Sequence, residues 1–113
     1  MHECFNPRQI TSGDEIILTG TIAEHGTTIL LERYNLGLQS DIVSDCKPLS
    51  EIILALGDHI KYVKLMRDPT RGGIATSLCE ISESHHIGAL IEEEKLQIRL
   101  SISAVHELLG TDP

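Results

Sequence analysis

Aromatic side chains are nearly missing from this sequence: 113 residues include no Trp, one Phe and two Tyr. Any core must therefore be aliphatic. Cations are also scarce, with 9 Lys and Arg against 17 Asp and Glu and a formal net charge of −8. Nucleic acid and anionic membrane surfaces are bound through positive surface, so both are excluded as main partners. A local anion site remains possible, because Arg67 and Arg71 stand close together. Cysteine is limited to Cys4, Cys46 and Cys79, an odd number without C-x-x-C spacing. This excludes a disulfide framework or structural zinc site and points to a reduced, cytoplasmic setting. No apolar run is long enough to cross a membrane, and the polar opening with Pro7 does not read as a signal peptide. The dinucleotide-binding glycine pattern and the Walker loop are absent too.

What is present centres on Val63–Ala75, where an apolar run turns through a polar, glycine-rich corner into a helical pattern. Pro69 biases Asp68 toward extended backbone, so a strand from about Tyr62 should end there. Thr70 can cap a helix beginning near Arg71. Gly72 and Gly73 let a ligand approach the backbone closely, and the first N–H groups of the helix would face it. Arg67, Arg71 and the helix dipole then make an anion site, most simply one for phosphate. A plain structural turn explains the same spacing and, on spacing alone, is the preferred reading.

Residues 1–13 read as an N-terminal tether and 14–113 as one domain's worth of chain. Glu15–Ile22 is a β-branched apolar run, predicted as a strand covered on both faces. It breaks at Ala23-Glu24-His25-Gly26, after which Thr27 to about Leu36 reads as a helix stopped by Gly37. This second strand–corner–helix unit, set beside the first, would build a cleft. Asp45 is a candidate cap near Pro48. Leu49, Ile52, Ile53, Leu56 and Ile60 then share one helix face, with Gly57 loosening the last turn. Tyr62–Met66 and Gly88–Glu92 are strand candidates, Leu96–Leu100 is a strand or extended segment, and Ile74, Leu78 and Ile81 line a helix fading at Ser84-His85-His86. Ser101 or Ser103 can cap a final helix carrying Val105, Leu108 and Leu109 and ended by Gly110. The expected class is α/β or α+β, a layered mixed sheet with flanking helices.

Four blocks resemble a known family: Gly13–Gly26, Ser44–Leu49, Met66–Ala75 and Glu107–Pro113. Their order and spacing are similar to those of the hydrogenase expression/formation (HypE) family, in the superfamily of aminoimidazole-ribonucleotide synthetase. The likeness runs from Gly13 to the end. It implies a truncated PurM C-terminal-domain-like fold and a partial second domain of a two-domain protein. It also implies a role in making the cyanide ligands of nickel–iron hydrogenase, where ATP, with Mg, drives dehydration of a cysteine-bound thiocarboxamide to a thiocyanate. By the same resemblance Asp68, Thr70, Arg71, Gly72 and Gly73 line the cofactor cleft and His25 and Gly26 form its companion corner. The carbamoyltransferase HypF and other maturation proteins become partners of the intact parent. The family usually has Gly-Asp where this chain has Ala23-Glu24. Its C-terminal reactive cysteine has no counterpart here, so the fragment is not expected to catalyse the reaction alone. Self-association as a homodimer or through an edge strand is expected. The alternatives are a stand-alone phosphate-binding or interaction module, or another superfamily member such as selenophosphate synthetase.

Plainer readings accompany the other candidates. His25 can serve a phosphate or act as a general acid, or equally cap a helix or pack a loop. Cys46 reads as a small buried thiol and Cys79 as core or near-core. His85-His86 reads as a solvated helix end, because adjacent helical positions diverge by about 100°. Glu92-Glu93-Glu94 reads as a solvated turn.

Overall fold

Where aliphatic residues recur at three- and four-residue spacing, the chain is helical. The computed structural model describes residues 5–35 and 41–113. Its helices are α1 (Glu24–Tyr34), α2 (Ser50–Leu56), α3 (Gly73–His85) and α4 (Leu100–Leu109). Two 3-10 segments, Gly57–Tyr62 and Glu93–Lys95, connect them. The expected stop at Gly37 lies outside the described residues.

Two compact units divide the chain: Met1–Ile16 with Pro48–Leu90, and Ile17–Lys47 with Ile91–Pro113. In the second unit α1 packs on α4. Ile42, Ile102 and Val105 are buried there, and Ala23, Leu31, Ile98 and Leu109 pack around them. Ile102, Val105, His106 and Leu109 fall on one face of α4 because their spacing is three to four residues. Leu108, expected on that stripe, is 68% exposed. In the first unit Ile52, Ile53, Leu56, Ile60, Ile74, Leu78 and Ile81 are only half-buried. That unit ties its leading segment down by polar contacts: the Arg8 N–H donates to the Lys64 carbonyl (2.9 Å) and the Ile10 N–H to His85 Nδ1 (3.4 Å). Lys64 Nζ donates to Thr11 Oγ1 (2.8 Å) and Asp14 Oδ2 (2.6 Å). These bonds hold the Asp14 carboxyl below the usual carboxylate range, Lys64 first and the Thr11 N–H second.

The layered mixed sheet is not formed: no strand occurs among the described residues. The candidate strands at 15–22, 62–66, 88–92 and 96–100 are irregular or extended, apart from Tyr62, which closes the 3-10 segment, and Leu100, which opens α4. Single backbone bonds, Ile22 N–H to Gln97 carbonyl (3.1 Å) and Arg8 to Lys64, join neighbouring segments without growing into ladders. Strand propensity records the fit of a side chain to a paired, half-buried surface, and it cannot act without the partner strand. Ile16 and Ile17 accordingly lie 55% and 82% exposed, against the expectation of cover on both faces.

Helix starts also differ from expectation. α1 begins three residues before Thr27, on Ala23 in the left-handed region (φ 70°). α3 begins at Gly73 on a left-handed Gly72 (φ 73°), so Thr70 does not cap it. Leu49 rather than Asp45 precedes α2, and Arg99 rather than Ser101 or Ser103 precedes α4, with no side-chain cap bond at either. The helix expected over 49–60 is broken at Gly57 (φ 47°, ψ −126°), a conformation open essentially to glycine, and continues as a 3-10 turn. Gly110 (φ 65°) ends α4 as the sequence predicts.

Candidate functional site

The polar corner gathers Asp68, Thr70, Arg71, Gly72 and Gly73 in one exposed segment leading into α3. Both glycines are left-handed, at φ 73° and 66°. At Gly72 a Cβ would also lie 2.2 Å from Thr76 Oγ1, so this position needs glycine for two separate reasons. At Gly73 a Cβ would meet open space, and only the backbone angle demands glycine. The pair turns the chain so that α3 starts directly behind the corner, presenting its first unpaired N–H groups there. Thr70 Oγ1 donates to Asp68 Oδ2 at 3.5 Å, a weak bond that leaves the carboxylate oxygens largely open to solvent.

The two arginines part company. Arg67 is paired with Glu80 of α3 and both side chains are about half exposed, so its charge is already engaged within the unit. Arg71 is exposed and makes no ion pair or side-chain hydrogen bond among the described residues. Arg71 is therefore the available cation beside the α3 N-terminus. Glu80 was not singled out by sequence reasoning. Its place about two α3 turns beyond the corner was readable only once the helix start was known.

His25 and Gly26 occupy the first turn of α1, in the second unit. A Cβ at Gly26 would meet open space, so the chain's own packing does not require glycine there. His25 Nδ1 lies 2.9 Å from Ser44 Oγ and 3.5 Å from Cys46 Sγ. Cys46 is exposed rather than buried, and Cys79 is exposed rather than core. Cys79 lies one position beyond Leu78 and so faces away from the half-buried stripe. Glu24, where the resembled family usually has Asp, is buried: Thr21 Oγ1 donates to its Oε1 at 2.6 Å and Arg99 Nη1 stands 3.7 Å away. Arg99 also reaches Asp41 at 3.5 Å. Glu24 therefore acts as a tie between the start of α1 and the segment before α4.

His106 was missed by the sequence analysis, although its i+4 spacing from Ile102 signals the core face. It is buried between Thr27 Oγ1 (2.9 Å from Nε2) and Thr111 Oγ1 (2.9 Å from Nδ1). Thr27 Oγ1 donates its proton to the Ala23 carbonyl at 2.6 Å, so it accepts from Nε2–H, and Nδ1 accepts from Thr111. Both ring nitrogens are thus used internally. Among the described residues no three His, Cys, Asp or Glu side chains gather to hold a metal, and no helix is long and apolar enough to cross a membrane.

Comparison with known proteins gives these features a setting. Carbamoyl dehydratase HypE of Rhizobium leguminosarum bv. viciae is 42% identical over 105 residues, which is 89% of this chain and 29% of that protein. Carbamoyl dehydratase HypE of Escherichia coli K12 is 40% identical over 103 residues, 91% of this chain and 30% of that protein. Among solved structures, a chain described as part of a HypE–HypF complex matches with a TM-score of 0.72 and 40% identity, covering 82% of this chain and 30% of that one. The chain thus spans about three tenths of the length of the relatives it matches. The model of the AIR synthase related protein C-terminal domain matches residues 11–112. That match takes in the Gly72–Gly73 corner, α1 and α4 alike, and the chain belongs to the AIR synthase related protein family as its C-terminal domain.

Proposed function

We propose that this chain is the phosphate-facing part of an ATP-using carbamoyl dehydratase in nickel–iron hydrogenase maturation. The observation that carries the reading is Arg71, exposed and unengaged beside the left-handed Gly72-Gly73 pair at the head of α3. Its likeness to proteins called carbamoyl dehydratase HypE supports the choice of reaction. Removing water from a carbamoyl group requires its oxygen to leave, and phosphorylation by ATP makes that oxygen a leaving group. A guanidinium and helix N–H groups aimed at the phosphoryl oxygens stabilise the charge that develops on them. Thr70 adds a hydroxyl. Asp68 is the one carboxylate of the 66–75 motif, and it would offer Mg²⁺ a single ligand, in keeping with an ion that arrives largely held by nucleotide phosphates and water. In this reading the surroundings are the reduced cytoplasm and HypF is a partner, in line with the complex of the structural neighbour. Exposed Ile16 and Ile17 support self-association, read as concentration-dependent mass in sedimentation equilibrium.

The test is calorimetric titration of the 113-residue chain with ATP and Mg²⁺, alongside Arg71→Ala. Loss of a charge-assisted phosphate contact of about 1.5–3 kcal/mol weakens binding roughly tenfold or more in the variant. Equal affinity in the two proteins, or no binding by either, would overturn the assignment of phosphate holding to this corner.

A further inference from the structure

Away from the glycine corner, three reactive side chains converge where α1 meets the segment 44–46. His25 Nδ1 is 2.9 Å from Ser44 Oγ and 3.5 Å from Cys46 Sγ, and the Cys46 N–H donates to the same Ser44 oxygen at 3.2 Å. The bonds order themselves. Ser44 Oγ accepts from the Cys46 N–H, and in the tautomer that carries its proton on Nε2 the imidazole turns its single Nδ1 lone pair toward both Ser44 Oγ and the thiol. All three residues are exposed, so a small molecule reaches the sulfur directly. His25 is the second residue of α1, and the N-terminal end of a helix stabilises negative charge developing on a sulfur beside it. A thiol within reach of a base, with that base oriented by a third group, is the arrangement of an activated nucleophile.

We propose that Cys46 is a thiol-modification site that exchanges with small disulfides, with His25 as its base. In the step, Cys46 Sγ attacks one sulfur of RS–SR while its proton passes to His25 Nδ1. A Cys46–S–SR bond forms, the S–S bond of the reagent breaks, and the departing RS⁻ takes the proton from Nδ1 and leaves as RSH. No other oxidant is needed, and a second thiol reverses the reaction. This chemistry is separate from phosphate binding at the corner.

Cys79 supplies an internal control: it too is exposed, and it has no imidazole partner among the described residues. The chain is treated with limiting dithiobis-nitrobenzoate near neutral pH, and mixed disulfides are assigned to individual cysteines by peptide mass mapping over time. Cys46 is expected to react at least about tenfold faster than Cys79, the scale of modest general-base assistance. In guanidinium the two rates should converge to within about twofold, since only the folded chain brings His25 to the sulfur. His25→Ala and His25→Asn, each verified helical by circular dichroism, should bring Cys46 down to the Cys79 rate while leaving Cys79 unchanged. Equal rates for the two cysteines in the native chain would overturn the proposal, and so would an undiminished Cys46 rate in a folded His25 variant. If neither variant folds, a native rate ratio that persists in guanidinium overturns it equally.

Discussion

Thr27→Val isolates the buried hydroxyl–imidazole chain with almost no change of shape. Thr27 is fully buried on α1, and Val keeps its volume and β-branching, so helix preference and packing are nearly preserved. The Ala23 carbonyl loses the hydroxyl but keeps the Thr27 backbone N–H at 3.0 Å. The Nε2–H of His106, 6% exposed, has no such substitute and is left buried without an acceptor. That stranded donor costs about 1–3 kcal/mol. For a chain of this size the midpoint temperature should fall by roughly 5–15 °C. Urea unfolding followed by far-ultraviolet circular dichroism gives the free energy directly, with an unchanged m value expected. A double-mutant cycle with His106→Leu separates the stranded donor from any packing defect. In the His106→Leu background Thr27→Val should cost less than about 0.5 kcal/mol, leaving a coupling of roughly 1–2 kcal/mol. A Thr27→Val chain as stable as the parent, or strict additivity with His106→Leu, would refute the bonding scheme.

Three further outcomes follow, two from the first unit and one from α1. Asp14 has its carboxyl held low by Lys64 and the Thr11 N–H, so its contribution to stability is present above the ordinary carboxylate value and is lost as pH falls through the depressed one. In acid titrations of unfolding free energy Asp14→Asn should therefore lose stability mainly above about pH 4 and show a flatter dependence below it; an unaltered acid slope would count against the contact. Gly72→Ala forces an L-residue into a left-handed angle and drives its methyl against Thr76, and a loss of at least about 1–2 kcal/mol is expected by urea unfolding. Gly26→Ala, which meets open space within a helix, should be neutral or slightly stabilising in the same assay.

Helices were readable where their information is local. The spacing of Ile74, Leu78 and Ile81 names a face without reference to the rest of the chain, and Gly110 marks an end by its own backbone freedom. Helix starts were harder, because α1 and α3 open on left-handed residues and use no Ser, Thr or Asp cap. Thr70 attracts the capping rule without capping α3, and Thr27, read as the start of a helix, lies inside α1, where its hydroxyl bonds back to Ala23. The sheet was misread for a deeper reason. Residues such as Ile16 and Ile17 have the chemistry of a strand, but strand formation depends on a partner that their own sequence does not encode. At the candidate site, the contiguous residues 68–73 were legible as a corner. The engagement of Arg67 by Glu80 and the meeting of Ser44 and Cys46 with His25 are set by distant parts of the chain.

The geometry at Gly72 also bears on how a mutational map of this protein should be read. Surface positions that accept no substitution are commonly credited to ligand contact, since packing rarely constrains an exposed site. Gly72 is exposed and yet is fixed by its backbone angle and by the methyl and hydroxyl of Thr76 one turn along α3. Intolerance there would arise with no ligand at all. Gly26 and Arg71 carry no such internal constraint, so intolerance at those two positions would be the informative signal of binding.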